Sequence, residues 1–133
     1  MAQRVVLHVG TMKSGTSYLQ ALLFAEKERL ARSGVLVPGA DWSHQVRAVR
    51  QALAPRRGGP RQHWEALVEE VRTASGTAVV SMEFLGPAHP DTIASVVGAL
   101  GAAEVRVVVT ARDLNRTLVS MWQETIQNGR TWT

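Results

Sequence analysis

The stretch His8-Val9-Gly10-Thr11-Met12-Lys13-Ser14-Gly15-Thr16-Ser17 lies between a strand signal and a helix signal, and its reading decides the fold. Ahead of it, Arg4-Val5-Val6-Leu7-His8-Val9 reads as a buried strand; after it, Leu19, Leu22, Leu23 and Leu30 recur at helical spacing. A tight glycine-bearing turn must therefore join strand to helix. Gly10 and Gly15 allow the backbone to approach a ligand with no Cβ in the way. The first N–H groups of the helix lack intrahelical partners and point outward with the positive end of the helix dipole. Lys13 adds a mobile cation, and Ser14, Thr16 and Ser17 add hydroxyl groups. The arrangement suits an anionic nucleotide; the bland alternative is an ordinary glycine turn.

The spacing resembles a P-loop but departs from the Walker A pattern, which requires Gly-Lys-Ser/Thr after four variable residues. Gly15 is followed by Thr16, and the lysine sits inside the loop at position 13. There it would reach a terminal group from another side, with no Mg²⁺-binding arrangement following automatically. This weakens a kinase or ATPase reading.

A second strand-then-helix constellation lies about a hundred residues on, from Val105 to Glu124. Val105, Val107, Val108 and Val109 form its apolar run, and Asp113 is a candidate N-cap. Leu114, Leu118, Trp122 and Ile126 recur every four residues as an expected buried stripe. Arg112, Arg116 and Ser120 form a row at steps of four, so one face would offer two guanidinium groups and a hydroxyl to a second phosphate. A solvated helix face with a surface Asp/Arg pair is the competing reading.

Together the two segments resemble the sulfotransferase family that uses 3′-phosphoadenosine 5′-phosphosulfate (PAPS). In that family a Lys-Ser/Thr-Gly-Thr-Ser/Thr loop after the first strand holds the 5′-phosphosulfate; here it reads Lys13-Ser14-Gly15-Thr16-Ser17. The family's Arg, followed eight residues later by a Ser, holds the 3′-phosphate, and Arg112 and Ser120 have that spacing. The sequence through Ser120-Met121-Trp122-Gln123-Glu124, with His8-Val9-Gly10 and Tyr18-Leu19-Gln20, looks like a bacterial branch. Met12 and Leu114 stand where many relatives carry Pro, and neither substitution removes a ligand donor. The family usually runs to about twice this length. The resemblance therefore implies that residues 1–133 are the N-terminal portion of a longer domain, or a truncated member, whose acceptor pocket and closing segment lie beyond Thr133.

Strand and helix signals alternate along the chain. Val35-Leu36-Val37 is a short apolar run, a helix is expected from about Ser43 to Leu53, and Pro60 opens another with the stripe Trp64, Leu67, Val68, Val71, ended by Gly76. Thr77–Phe84 reads as the third strand. Pro90 reads as the first residue of a helix with the stripe Ile93, Val96, Val97, Leu100, and Gly101 ends it before the last strand. The expected fold is α/β, a parallel sheet flanked by helices in a P-loop-like three-layer architecture, incomplete, with ligands at the carboxyl ends of the strands. That rule draws attention to Glu83, expected on the same edge as the loop and Arg112. Several sulfotransferases place a catalytic Glu or His at the corresponding strand end, where it takes the acceptor proton. The alternatives for Glu83 are a solvated carboxylate or an ion-pair partner of Lys13. His44 is the competing base, read as lying early in a helix outside the shared edge, and His8 reads as buried structure.

Composition bounds the rest. With 45% hydrophobic residues in 133 positions, one domain is expected. The absence of cysteine excludes disulfides and thiolate chemistry, and His8, His44, His63 and His89 lack zinc-ligand spacing. No apolar run approaches a bilayer span and no signal-peptide core is seen, so a cytoplasmic location is expected. The net charge of +4 rests on 15 basic and 11 acidic residues and favours an anionic partner. Arg47, Arg50, Arg56, Arg57 and Arg61 lie in the acid-free stretch from Trp42 to Trp64, but no nucleic-acid motif accompanies them. Pro55–Pro60 reads as a solvated loop, and these arginines could instead approach a sulfated or acidic acceptor. An unfinished sheet edge would be open to pairing with a copy of the chain.

The implied activity is sulfuryl transfer from PAPS, without a metal, to a hydroxyl or amine of a small molecule or carbohydrate. Lys13 would neutralise the bridging oxygen; the loop amides with Ser14, Gly15, Thr16 and Ser17 would hold the 5′-phosphosulfate; Arg112 and Ser120, with Arg116 as a further contributor, would hold the 3′-phosphate. Glu83 would take the proton. The alternatives are a P-loop nucleoside or small-molecule kinase and a truncated nucleotide-binding module without turnover.

Overall fold

Four apolar runs become four strands, and the segments between them become helices. The computed structural model describes residues 2–54 and 59–131. In chain order these contain β1 (Arg4–His8), α1 (Thr16–Ala25), α2 (Lys27–Arg32), β2 (Val35–Leu36), α3 (Trp42–Leu53), α4 (Gln62–Thr73), β3 (Thr77–Ser81), a 3₁₀ turn (Glu83–Leu85), α5 (Pro90–Leu100), β4 (Glu104–Val108) and α6 (Leu114–Gln127). The strands form one parallel sheet in the order β2-β3-β1-β4. His8 stands level with Ser81 on one side and Val108 on the other, so three strands end along one edge.

The chain crosses from β1 to the far edge at β2, then works back through β3 to β4. With the right-handed crossovers expected of parallel strands, this order sends α1 and α2 to one face and α3, α4 and α5, which pack on one another, to the other, consistent with a three-layer α/β fold. The core lies under α3, α4 and α5. Val5, Leu7, Ala78 and Val80 of the sheet meet Val49, Trp64, Leu67, Val71, Val96 and Leu100 there. The expected stripe Trp64, Leu67, Val68, Val71 is buried throughout. Pro90 opens α5, and Gly101 closes it in the left-handed conformation. None of the helices among the described residues is long and apolar enough to cross a membrane.

The stripe expected to be buried on α6 is not. Leu114, Leu118, Trp122 and Ile126 are 69%, 43%, 51% and 49% exposed, and no residue of this helix is buried. Periodicity marks a face that can be covered, but burial also needs a neighbour. Among the described residues β4 pairs only with β1, and Val107 and Val109 are exposed as well.

Boundaries also differ from expectation: the helix expected from Thr16 through Leu30 breaks at Glu26 into α1 and α2. The third strand stops at Ser81, and Glu83 opens the 3₁₀ turn, two residues past the strand end. α4 begins at Gln62 and ends at Thr73, capped by Ala74. Gly76 serves a close approach instead of ending that helix, because a Cβ there would come within 2.2 Å of the Gly34 carbonyl oxygen. Of the expected loop 55–60, residues 55–58 lie outside the described residues.

Candidate functional site

The loop leaves β1 still zipped to the chain that follows β4. Val9 N–H donates to Val108 O at 3.0 Å, Thr110 N–H to Gly10 O at 2.7 Å and Thr11 N–H to Thr110 O at 2.6 Å. It then turns sharply, with φ of 94° at Gly10, 63° at Lys13 and 83° at Gly15. Lys13 is the one non-glycine with positive φ among the described residues. That conformation costs a side-chain-bearing residue roughly 1–2 kcal/mol, and such strain persists where its surroundings over-determine it. Gly10 is required for a second reason. A Cβ there would lie 2.9 Å from Glu83 Cβ, so the loop and the 3₁₀ turn are in direct contact.

Turns with left-handed residues close together gather successive N–H groups into an anion-binding concavity. Gly15 caps α1 without a side-chain hydrogen bond, and the first turn carries no acidic residue. Among the described residues the N–H groups of Lys13, Gly15, Thr16 and Ser17 make no hydrogen bond, and Ser14 N–H faces only Thr11 O across the turn. The positive end of α1 is therefore open to a ligand. Thr16 is buried on the inner side of the helix, Ser17 is exposed and Ser14 is half-buried.

Two contacts tie this loop to the rest of the edge. Lys13 Nζ lies 2.9 Å from Glu124 Oε2 of α6, not from Glu83. Glu83 Oε2 instead accepts from Gln20 Nε2 at 2.8 Å, which leaves Oε1 without a hydrogen bond among the described residues. Gln20 Nε2 also reaches Ser81 O at 3.3 Å, so one α1 side chain links the helix, the end of β3 and the carboxylate.

Beneath the loop, His8 Nδ1 is 2.7 Å from Ser81 Oγ and His8 Nε2 is 3.0 Å from Thr110 Oγ1. Thr110 Oγ1 is in turn 2.8 Å from Ser14 Oγ. His8 is buried, as expected, and burial holds its pKa below the ordinary value of about 6.5 although the nearby Glu83 charge opposes the shift.

On α6, Arg112, Arg116 and Ser120 line one shallow depression of about 470 Å³ together with Asn115, Val119 and Gln123. Asp113 caps the helix by accepting from Arg116 N–H at 3.0 Å, which sets the start of this face. Arg112 has no carboxylate partner among the described residues.

His44 is the third residue of α3, early in a helix as expected. It follows β2, so it lies on the carboxyl edge, but β2 is the outermost strand and β3 separates it from β1. Its Nδ1 is 2.9 Å from Asp41 Oδ1, the cap of α3. Hydrogen bonds from Ser43 first and then His44 hold Asp41 well below the usual carboxylate range. Arg47 and Arg50 are exposed on α3, with Arg50 5.5 Å from the centre of the Phe84 ring. Arg56 and Arg57 lie outside the described residues.

Thr110, Gln20, Ser81 and Glu124 escaped the sequence reading. Glu124 had a signal, since it extends the row Arg112, Arg116, Ser120 by one more step of four. Gln20 follows Thr16 at the same step, and together they form the buried face of α1. Thr110 and Ser81 had none.

The fold and edge define an α/β protein with an open, cationic loop at the carboxyl ends of parallel strands. Comparison with protein-family models, curated proteins and solved structures finds no match in any of the three.

Proposed function

We propose that this chain is a P-loop-like sulfotransferase domain that binds PAPS and transfers its sulfuryl group to a hydroxyl or amine. The observation that carries the reading is one sheet edge shared by two anion-suited features. One is the loop with open amides around Lys13; the other is the α6 face bearing Arg112, Arg116 and Ser120. A single phosphate would need only one of them.

The residues present suit such a ligand. Bound there, PAPS would supply an activated sulfuryl group, the S–O bond to its 5′-phosphate breaking as the acceptor bonds to sulfur, and adenosine 3′,5′-bisphosphate would leave. The amides of residues 13–17 and the Ser17 hydroxyl hold the 5′ end, and Lys13 offsets its charge once released from Glu124. Arg112 and Ser120 hold the 3′-phosphate. Glu83 takes the acceptor proton on Oε1 while Gln20 fixes Oε2; help of this kind contributes roughly 10²–10⁴-fold. Ser14, whose hydroxyl is turned to Thr11 O, acts on the loop itself.

Calorimetry with adenosine 3′,5′-bisphosphate and ATP, each with and without chelator, tests the reading. The bisphosphate is expected to bind more tightly and without Mg²⁺. A Mg²⁺-dependent preference for ATP would replace the sulfotransferase with a kinase.

A further inference from the structure

With His8 neutral, as its burial favours, the hydroxyl and imidazole groups beneath the loop admit one consistent placement of protons. Ser14 Oγ lies 2.5 Å from Thr11 O, which can only accept, so the single Ser14 proton points there. Ser14 must then accept at its 2.8 Å contact with Thr110 Oγ1. Thr110, having given its proton to Ser14, must accept from His8 Nε2–H at 3.0 Å. His8 must therefore carry a proton on Nε2; burial disfavours the charged ring, so with His8 neutral its Nδ1 accepts from the Ser81 hydroxyl at 2.7 Å.

The chain of donors thus runs from Ser81 at the end of β3, through His8 on β1 and Thr110 after β4, into the loop. It ends on the Thr11 carbonyl. A carbonyl turned into an anion site would repel the ligand; here its oxygen is bound by the Ser14 hydroxyl while the neighbouring amides stay open. We propose that Thr110 and His8 are positioning residues for the anion-binding loop, with the Ser81–His8–Thr110–Ser14 relay holding Thr11 O aside and Lys13 in its left-handed conformation. The inference rests on reading the loop as an anion site. Neither residue needs to touch the ligand.

Two measurements test it. In the ligand-free protein, ¹⁵N NMR of the His8 ring at neutral pH should show the neutral Nε2–H tautomer; an Nδ1–H tautomer or an imidazolium overturns the relay. Binding of adenosine 3′,5′-bisphosphate should be nearly unchanged in Thr110→Ser, which keeps the hydroxyl. It should weaken about tenfold in Thr110→Val, which is close in shape but breaks the chain. Ser14→Ala, cutting the relay at its other end, should weaken binding in the same way. Equal affinities for Thr110→Ser and Thr110→Val refute the proposal. If the wild-type protein binds no bisphosphate, the sulfotransferase reading falls. The relay is then decided by the ring tautomer and by amide exchange in residues 11–15, which Thr110→Val should speed and Thr110→Ser should not.

Discussion

α4 and α6 carry similar sequence patterns and meet different fates. Trp64, Leu67, Val68 and Val71 of α4 are sealed against the sheet and α3, whereas Leu114, Leu118, Trp122 and Ile126 of α6 are all at least 43% exposed. The difference lies in topology. α4 runs between two paired strands, β2 and β3, and packs against α3 and α5, while α6 follows the edge strand β4. The molecule therefore has a closed half around β1 and β3 and an open half at β4 and α6, and the candidate site straddles the two. Lys13 and Glu83 belong to the first; Arg112, Arg116, Ser120 and Glu124 belong to the second.

The largest expected effect sets the two halves directly against each other. Leu67→Ala, at 3% exposure, should cost about 2–5 kcal/mol through lost transfer energy and the cavity left behind. Leu118→Ala should fall within about 0.5 kcal/mol, as an exposed substitution does. Urea denaturation of both variants reads the contrast. A comparable loss for Leu118 would mean that the α6 stripe is covered in solution, and the open half would have to be redrawn.

That contrast also bounds what was legible in the sequence. All four strands and most of the helices between them follow from apolar runs, Pro90 and Gly101, because these signals are local; the break at Glu26 that splits the helix after the loop into α1 and α2 does not. Lys13 and the row from Arg112 to Ser120 were legible for the same reason, each being fixed by spacing within one segment. The exposure of α6 was not, since it depends on what lies beside β4. Nor was the relay under the loop: His8 and Thr110 are 102 positions apart, and His8 and Ser81 are 73 apart, so only the sheet register brings them together. Glu83 lies at the expected edge but in a 3₁₀ turn instead of the strand, because a turn of three residues leaves no periodic trace in the sequence.

The next effect concerns the ligand and separates the halves by function. Arg112→Ala should reduce the preference for PAPS over adenosine 5′-phosphosulfate by about 1.5–3 kcal/mol, the loss of a charge-assisted contact to the 3′-phosphate. Lys13→Ala should weaken both ligands alike. Competition binding measures the two ratios, and an Arg112 variant with the wild-type preference would make the open half a bystander to recognition.

A smaller effect should come from His8, which joins Ser81 of the closed half to Thr110 of the open one. Its pKa is held below about 6.5 in the folded protein, so on acidification the unfolded chain takes up the proton first. Stability should be full above about pH 6.5 and decline as the pH falls below it, down to the folded-state pKa. Asp41 and Glu104, both held low, act only below about pH 4.5 and do not confuse this window. Denaturation midpoints followed from pH 7.5 to 5 should show the decline in the wild type and lose it in His8→Gln. A wild-type profile that is flat over this range would show that His8 is as easily protonated in the fold as outside it.

The smallest effect is carried by the tether itself, the 2.9 Å pair between Lys13 and Glu124. Both side chains are partly exposed, at 33% and 50%, so their coupling in a double-mutant cycle should be only about 0.2–1 kcal/mol and should shrink with added salt. Its interest lies in what it occupies. Glu124 is an internal anion on the cation that a bound phosphosulfate would need, so removing its charge should help the ligand by the amount the pair is worth. Glu124→Gln is therefore expected to bind adenosine 3′,5′-bisphosphate more tightly, by about fivefold at most at low salt, with the gain fading as ionic strength rises. Because the bisphosphate lacks the sulfuryl group, inorganic pyrophosphate serves as a second probe of the loop alone and should gain by a similar factor. If Glu124→Gln weakens both probes, the carboxylate holds Lys13 in place for the ligand rather than competing with it, and the two halves of the site are joined by a brace instead of a displaceable pair.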